Sequence, residues 1–364
     1  MYNYKKQKMN ILQEGDYVIK AGVIGATGYV GEELIRILLQ HPEVDVTIAT
    51  SKSYAGQSLD SLYGHFRKKC SLVCVEEDWQ SLGDEVDVLF LALPHGIASH
   101  KVTDSLLAKT KVIDLGADYR LKDQKVYEHW YVASHGSPHL LEQGVYGLCE
   151  WYREDIKKAS LIANPGCYTT CSILSLAPLV KENLIENHSI IIDAKSGVSG
   201  AGRSLHLNNH FTECNESFKA YKIASHRHTP EIEEQLSRIG GSPLCLSFTP
   251  HLVPMNRGIF ITAYALLKEG VSEEKIRQAY QMYYEKESFI RLLPQGIYPE
   301  TRWIKGSNYC DIAFTLDERT GRVIVLAALD NLVKGAAGQA VQNMNLLFDF
   351  PETKGLESVP IFPA

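Results

Sequence analysis

Apolar runs and helical repeats alternate through the first part of the chain. Residues 18–25 form a short apolar run that predicts a strand, and 32–39 repeat apolar positions every three or four residues, predicting an amphipathic helix. Strands follow at 44–50, 86–93 and 111–115, the β–α–β cadence of a doubly wound parallel sheet. Residues 161–163 predict one more. It runs into Asn164-Pro165-Gly166, three turn formers, and then into a helix that carries Cys167 in its first turn and continues to Leu179. Beyond that helix the pattern changes. Strands at 189–194, 245–248, 258–266, 311–316 and 323–328 predict an antiparallel sheet with helices on one face. Thr229-Pro230-Glu231 marks a helix start with proline in its first turn, and the small residues of 330–340 lead into a last helix expected to pack back on the first domain. The chain is thus expected to divide into a poorly ordered leader at 1–17, a dinucleotide-binding domain at 18–166 completed by 331–364, and a second domain at 167–330.

Gly25, Gly28 and Gly31 fall between the first strand and the first helix, where backbone must approach a pyrophosphate at a helix N-terminus. The spacing is G-x-x-G-x-x-G rather than the commoner G-x-G-x-x-G, but strand, glycines and helix are in register. Gly25, Thr27, Gly28, Tyr29, Val30 and Gly31 are therefore the expected cofactor cradle. The second strand ends at Ser51-Lys52-Ser53, where an NAD site usually carries Asp or Glu for the ribose 2′-hydroxyl. No carboxylate stands there to repel a 2′-phosphate, and Ser51 and Lys52 can bind one, so NADP(H) is the expected cofactor. Lys52 as a plain solvated loop charge is the competing account. Pro94-His95-Gly96 closes another strand, where loops meet the cofactor.

A free thiol titrates near pH 8.5 and is mostly protonated at neutrality, while N–H groups at a helix start lower that value. Cys167 occupies such a position and is the expected nucleophile; Cys171, one turn on, is expected to be a buried hydrophobe. Residues 195–203 combine glycines, hydroxyls and cations suited to an anionic substrate, with Ser199, Gly200 and Arg203 as contacts. His226 and His228 supply acid/base groups, although spacing alone leaves a metal pair or a surface patch open. A nucleophilic thiol and a nicotinamide in one chain point to an aldehyde or acyl-phosphate enzyme that works through a thioester.

Composition narrows the classes further. A net charge of -6 with no long basic run excludes nucleic acid as the expected partner. No apolar stretch reaches membrane-spanning length with clean flanks, and residues 1–16 lack the apolar core of a signal peptide. Eight cysteines without a C-x-x-C pair argue against a zinc ribbon or thioredoxin-type site, so no metal is expected. They fit a reduced, cytoplasmic enzyme. Cys70 and Cys74 alternate with apolar residues on a strand-like run and are expected in the core.

Taken together, these motifs resemble those of the N-acetyl-gamma-glutamyl-phosphate reductase family of arginine biosynthesis. The resemblance runs from about residue 19 to 349 and is carried by GATGYVG at 25–31, LPHG at 93–96, DLGADYRL at 114–121, ANPGCYTT at 163–170, SGVSGAGR at 196–203, HRHTPEI at 226–232, TPHLVPMNRGI at 249–259 and DNLVKGAAGQAVQNMN at 330–345. It implies a Rossmann dinucleotide-binding domain plus an α+β catalytic and oligomerisation domain, as in glyceraldehyde-phosphate and aspartate-semialdehyde dehydrogenases. It also implies NADPH-dependent reduction of N-acetyl-L-glutamyl 5-phosphate to the 5-semialdehyde with release of inorganic phosphate. By the same resemblance Cys167 is the nucleophile, His228 the acid/base with His226 close behind, and Arg120 a ligand of the substrate phosphate, a structural salt bridge of Arg120 with Asp118 or another acid being the competing account. Ser196 stands where those relatives carry a glutamine, and Ser196, Gly197 and Asn331 join the cofactor set. Homodimers or homotetramers are implied, built through the exposed face of the second domain's sheet. The alternatives are the aminoadipyl-phosphate reductase of lysine biosynthesis, whose carrier-borne substrate calls for a basic docking surface, and a catalytically silent NADP-binding sensor.

Overall fold

The computed structural model describes residues 18–363, so the expected leader lies outside the described residues. Two compact units divide the chain. The first comprises the chain up to Gln124 with Ala133–Asn164 and Ala337–Glu357; the second comprises Lys125–Val132, Pro165–Ala336 and the chain from Ser358 on.

In the first unit β1 (Ile19–Ile24), α1 (Tyr29–Leu38), β2 (Val44–Ala49), β3 (Val88–Leu91), β4 (Lys111–Asp114), β5 (Val145–Tyr146), α2 (Cys149–Ile156) and β6 (Leu161–Ala163) follow in order. The six strands lie in the order β2-β1-β3-β4-β6-β5, every neighbouring pair parallel. Central strands of such a sheet are covered on both faces, which is why β3 is apolar and buried throughout. Leu34, Ile35, Ile37 and Leu38 bury one face of α1. The strand order reverses between β1 and β3, the crevice at which doubly wound sheets bind ligands. Residues 70–75 form no strand, only the isolated bridges Ser58–Val73 and Thr50–Val75; Cys74 is buried as expected, but Cys70 is only half-buried, so its place in the core is corrected.

The second unit runs through α3 (Cys167–Lys181), β7 (Ile191–Gly197), β8 (Lys219–Ala220), α4 (His228–Gly240), β9 (Ser247–Val253), β10 (Ile259–Leu266), α5 (Glu273–Tyr284), β11 (Ile290–Leu292), β12 (Cys310–Asp317) and β13 (Arg322–Leu329). Its sheet, ordered β11-β12-β13-β10-β7-β9-β8, is mixed rather than antiparallel, because β7 pairs with β9 and β11 with β12 in parallel. Helix α4 lies between β7 and β9 in sequence, and a long connection with a 3₁₀ turn at Thr301–Trp303 lies between β11 and β12, as parallel neighbours require. Along β10 buried and half-buried residues alternate. Ile261, Ala263, Val323 and Val325 are buried, whereas Phe260, Thr262, Tyr264, Ile324 and Leu326 share the other, partly exposed face.

Helix α3, which Cys167 opens, is buried on all sides from Tyr168 to Val180. Pro178 removes the N–H that would reach the Leu174 carbonyl four residues back. Tyr284 of α5 replaces it, its hydroxyl donating to Leu174 O at 2.7 Å, and Tyr280 donates to Ser175 O at 2.5 Å.

The last helix, α6 (Gly338–Leu347), groups with the first unit, with Gln339, Asn343 and Asn345 fully buried. Buried amides need partners. Gln339 and Asn343 each donate to Gly147 O at 2.8 Å, Asn343 also donates to Asn164 Oδ1 at 3.1 Å, and Asn345 donates to Glu352 O and Lys354 O. The return falls later than the expected 331. Residues 331–336 group with the second unit because Asn331 bonds to Gly258 and Ser199 and Gly335 sits on Cys167.

Candidate active site

The cofactor half is built at the end of β1. Gly25 has φ +80°, and a Cβ there would lie 2.4 Å from the Ala92 carbonyl oxygen; at Gly31 it would lie 2.4 Å from Gly25 O. Only glycine permits that turn and that helix approach. Gly28 precedes α1 with no side-chain cap, so the helix start is open to an anion. Tyr63 donates its hydroxyl to Thr27 O at 2.7 Å, and Thr27 and Ser51 share a 2.8 Å hydroxyl hydrogen bond, joining the cradle to the end of β2. Tyr29 is exposed and Val30 half-buried. Ser51 is buried beside Thr27, and Lys52 next to it is exposed. Pro94 is also exposed, on a loop that Asp118 fixes by accepting from Gly96 N (2.6 Å) and Ser99 N (2.9 Å).

Arg120 is buried in this unit. Its Nε donates to Asn164 O and one Nη to Leu115 O, both at 2.8 Å, so much of its guanidinium holds backbone at the ends of β4 and β6. Burial and the neighbouring Asp118 charge push the Asp114 carboxyl up to about 7, against the opposing pull of the Gly116 N–H and Arg120.

Cys167 and the two histidines lie in the second unit. Cys167 is the first residue of α3 and half-buried, preceded by Gly166, which carries no side-chain cap of its own. The cap comes from another helix. The buried Glu231 of α4 accepts from Gly166 N at 3.0 Å and from the Thr169 hydroxyl at 2.8 Å, both on Oε1. His228 opens α4, and its ring centroid lies 4.7 Å from that of His226. The Tyr168 ring packs edge-on against both, at 5.8 Å from His226 and 6.0 Å from His228. The backbone N–H of His228 donates to His226 Nδ1 at 3.1 Å, which fixes the His226 proton on Nε2. Burial, then the charge of His228, lowers the His226 pKa to about 2. Burial also raises Tyr221 to about 12 and Tyr168 beyond the ordinary phenol range, so both stay neutral at physiological pH.

The 195–203 segment is not all loop. Ser196 and Gly197 end β7, followed by a 3₁₀ turn at Val198–Ala201. Ser196 donates to Gly197 O, and Asn331 donates to Ser199 Oγ at 2.9 Å while accepting from Gly258 N at 2.8 Å. Ser196, Gly197, Ser199, Gly200 and Asn331 therefore come together, while Arg203 lies on the exposed stretch 201–207. Cys171 is buried, as expected. Glu231, Asp118 and Gly335 were not singled out by the sequence; for Glu231 its place in HRHTPEI was the available signal. Among the described residues no group of three or more His, Cys, Asp or Glu is gathered as for a metal ion, and no helix is long and apolar enough to cross a membrane.

A doubly wound unit with a glycine cradle, followed by a cysteine–histidine unit on a mixed sheet, defines the semialdehyde dehydrogenase class. Residues 20–159 match the model of the semialdehyde dehydrogenase NAD binding domain, and 167–331 that of the semialdehyde dehydrogenase dimerisation domain. The fold is shared with aspartate semialdehyde dehydrogenase from Candida albicans, solved with NADP (18% identity, TM-score 0.68, 91% of this chain and 99% of that one). It is shared too with aspartate semialdehyde dehydrogenase II from Vibrio cholerae (18% identity, TM-score 0.70, 91% and 99%). Much nearer in sequence are the N-acetyl-gamma-glutamyl-phosphate reductases of Lachnoclostridium phytofermentans (56% identical, 95% of this chain and 100% of the relative) and Campylobacter jejuni subsp. doylei (57%, 93% and 98%). The chain belongs to the N-acetyl-gamma-glutamyl-phosphate reductase family.

Proposed function

We propose that the protein reduces N-acetyl-L-glutamyl 5-phosphate to N-acetyl-L-glutamate 5-semialdehyde and inorganic phosphate, using NADPH. The observation that carries this reading is Cys167 at the first position of α3, with the next residue's ring packed on the His226–His228 pair. The Gly25–Gly31 cradle, which a side chain at either end would fill, fits a dinucleotide pyrophosphate. Ser51 and Lys52 at the end of β2 favour a 2′-phosphate, hence NADP(H) over NAD(H). Bound there, the nucleotide supplies hydride.

The chain's own residues do the rest. Cys167 as thiolate attacks the acyl carbon, the C–O bond to phosphate breaks, and a thioester remains on sulfur. Gly166 N–H is committed to Glu231, so stabilisation of the tetrahedral oxyanion falls to N–H groups from Cys167 onward. His226 stays neutral and buried and cannot deliver a proton, so it positions His228. His228 is then the acid/base: it moves the proton of the thiohemiacetal oxygen as the aldehyde leaves and the thiolate returns. Ser199, Gly200, Arg203 and Arg120 are assigned to the substrate's anionic groups, and Ser196, Gly197 and Asn331 to the nicotinamide side. The half-exposed sheet face around Tyr264 and Leu326 is assigned to a homodimer or homotetramer contact, and eight free thiols fit the reducing cytoplasm.

The direct test is phosphate-dependent NADP⁺ reduction by N-acetyl-glutamate semialdehyde, wild type beside Cys167→Ser. Activity only in the wild type supports the reading. Wild-type inactivity with NADPH still bound would overturn the substrate assignment.

A further inference from the structure

Glu231 is a buried carboxylate that the mechanism above does not use. It sits on α4 three residues after His228, on the same face of that helix. Its Oε1 reaches across to α3, accepting the N–H of Gly166 and the hydroxyl of Thr169. Thr169 Oγ1 also lies 2.7 Å from Gly166 O, so one carboxylate oxygen and one hydroxyl close the turn on both sides of the nucleophile. We infer that Glu231 is a positioning residue: it ties the turn that presents Cys167 to the helix that presents His228. This rests on Cys167 and His228 having the roles proposed above.

A second consequence follows from charge. An anion at a helix N-terminus takes up the partial positive charge that would otherwise favour a thiolate there. Glu231 therefore holds the Cys167 thiol less acidic than the bare helix start would make it, while fixing its place. The groups around the pair are the neutral phenols of Tyr168 and Tyr221 and the Cys171 thiol, with His226, His228, Lys222 and Arg227 on the side of α4. None of them bonds to the Gly166 N–H that Glu231 accepts.

The test uses the full enzyme with Glu231→Gln, Glu231→Asp and Thr169→Val. Glutamine keeps the acceptor and removes the charge, so the midpoint of iodoacetamide alkylation at Cys167 is expected to move down by about one pH unit. Aspartate is too short to join the two helices, and kcat is expected to fall at least about 100-fold with substrate KM within about 2-fold. Thr169→Val removes one of the two bonds with little change in volume and is expected to lower kcat by a smaller factor in the same pattern. NADPH affinity should not change in any of the three, which reports folding independently of chemistry. An alkylation profile for Glu231→Gln that superimposes on wild type, or unchanged kcat in Glu231→Asp and Thr169→Val, would overturn the inference. Because alkylation needs no substrate, a shifted profile in an enzyme that rejects N-acetyl-glutamyl phosphate would sink the substrate assignment and leave Glu231's role standing.

Discussion

His226 and His228 differ by two positions and by the work each can do. His226 is nearly closed off from solvent and its pKa is depressed to about 2, whereas an unfolded histidine titrates near 6.5. Below about pH 6.5 the unfolded chain takes up a proton that the folded chain refuses. This contribution to stability is therefore complete above about 6.5 and is lost as pH falls toward about 2, by at most about 1.4 kcal/mol per pH unit. Asp114 acts in the opposite sense: with its pKa raised to about 7, the folded state holds a proton that the unfolded chain releases, so its penalty is relieved as pH falls below about 7. His226→Asn keeps an acceptor for His228 N–H and removes the titration. Its melting temperature should vary less steeply with acid pH than that of wild type, and parallel curves would contradict the buried, neutral assignment. For turnover, His228→Asn is expected to lose about 100- to 10,000-fold in kcat, and an equal loss in His226→Asn would mean that both act on the proton. Arg120→Ala is expected to raise the phosphate KM in the reverse direction and to cost about 2–4 kcal/mol in denaturant unfolding, because two carbonyls lose a charged donor. Lower stability with an unchanged phosphate KM would assign Arg120 to the backbone alone.

At the level of elements, the surroundings of Cys167 include a π-helical turn at Val333–Ala337, the kind of irregularity that collects at functional sites. Asp330 pins its start, its carboxylate accepting from Leu332 N at 2.9 Å and from Val333 N at 3.3 Å, and a Cβ on Gly335 would lie 2.8 Å from the Cys167 Cβ. A single methyl in Gly335→Ala is expected to displace the thiol and lower kcat about 100-fold with NADPH affinity unchanged; unaltered kcat would show that the turn yields. What was legible in the sequence was local. The βα glycines, the turn before Cys167 and the start of α4 announce themselves within a few residues, because turn and capping chemistry is short-range. The pairings that complete the site were not legible: Glu231 with Gly166 spans 65 positions, Asn331 with Ser199 132, and Asn343 with Asn164 179. The same distance hid the parallel pairs of the second sheet, whose strands read like antiparallel ones. A glycine-rich run such as 195–203 looks like loop throughout, yet Ser196 and Gly197 are held in β7 by pairing with β9 and β10.

For the whole molecule, the second unit's sheet keeps one face against α3 and leaves Phe260, Tyr264, Ile324 and Leu326 half-exposed on the other. An apolar face of that kind suits contact with another copy. Light scattering should give two or four times the 40.7 kDa of one chain, and Tyr264→Glu with Leu326→Glu should halve that mass at least; an unchanged mass would move the contact elsewhere. The first unit carries a different consequence, through α6. Gly147 O, the Asn164 side chain and the His41 ring each bond to a buried amide of α6, on Gln339, Asn343 or Asn345. During synthesis, then, the dinucleotide-binding unit gains its last helix only after 165–336 has been made. The amides that meet Gly147, Asn164 and His41 are thus among the last groups of that unit to leave the ribosome.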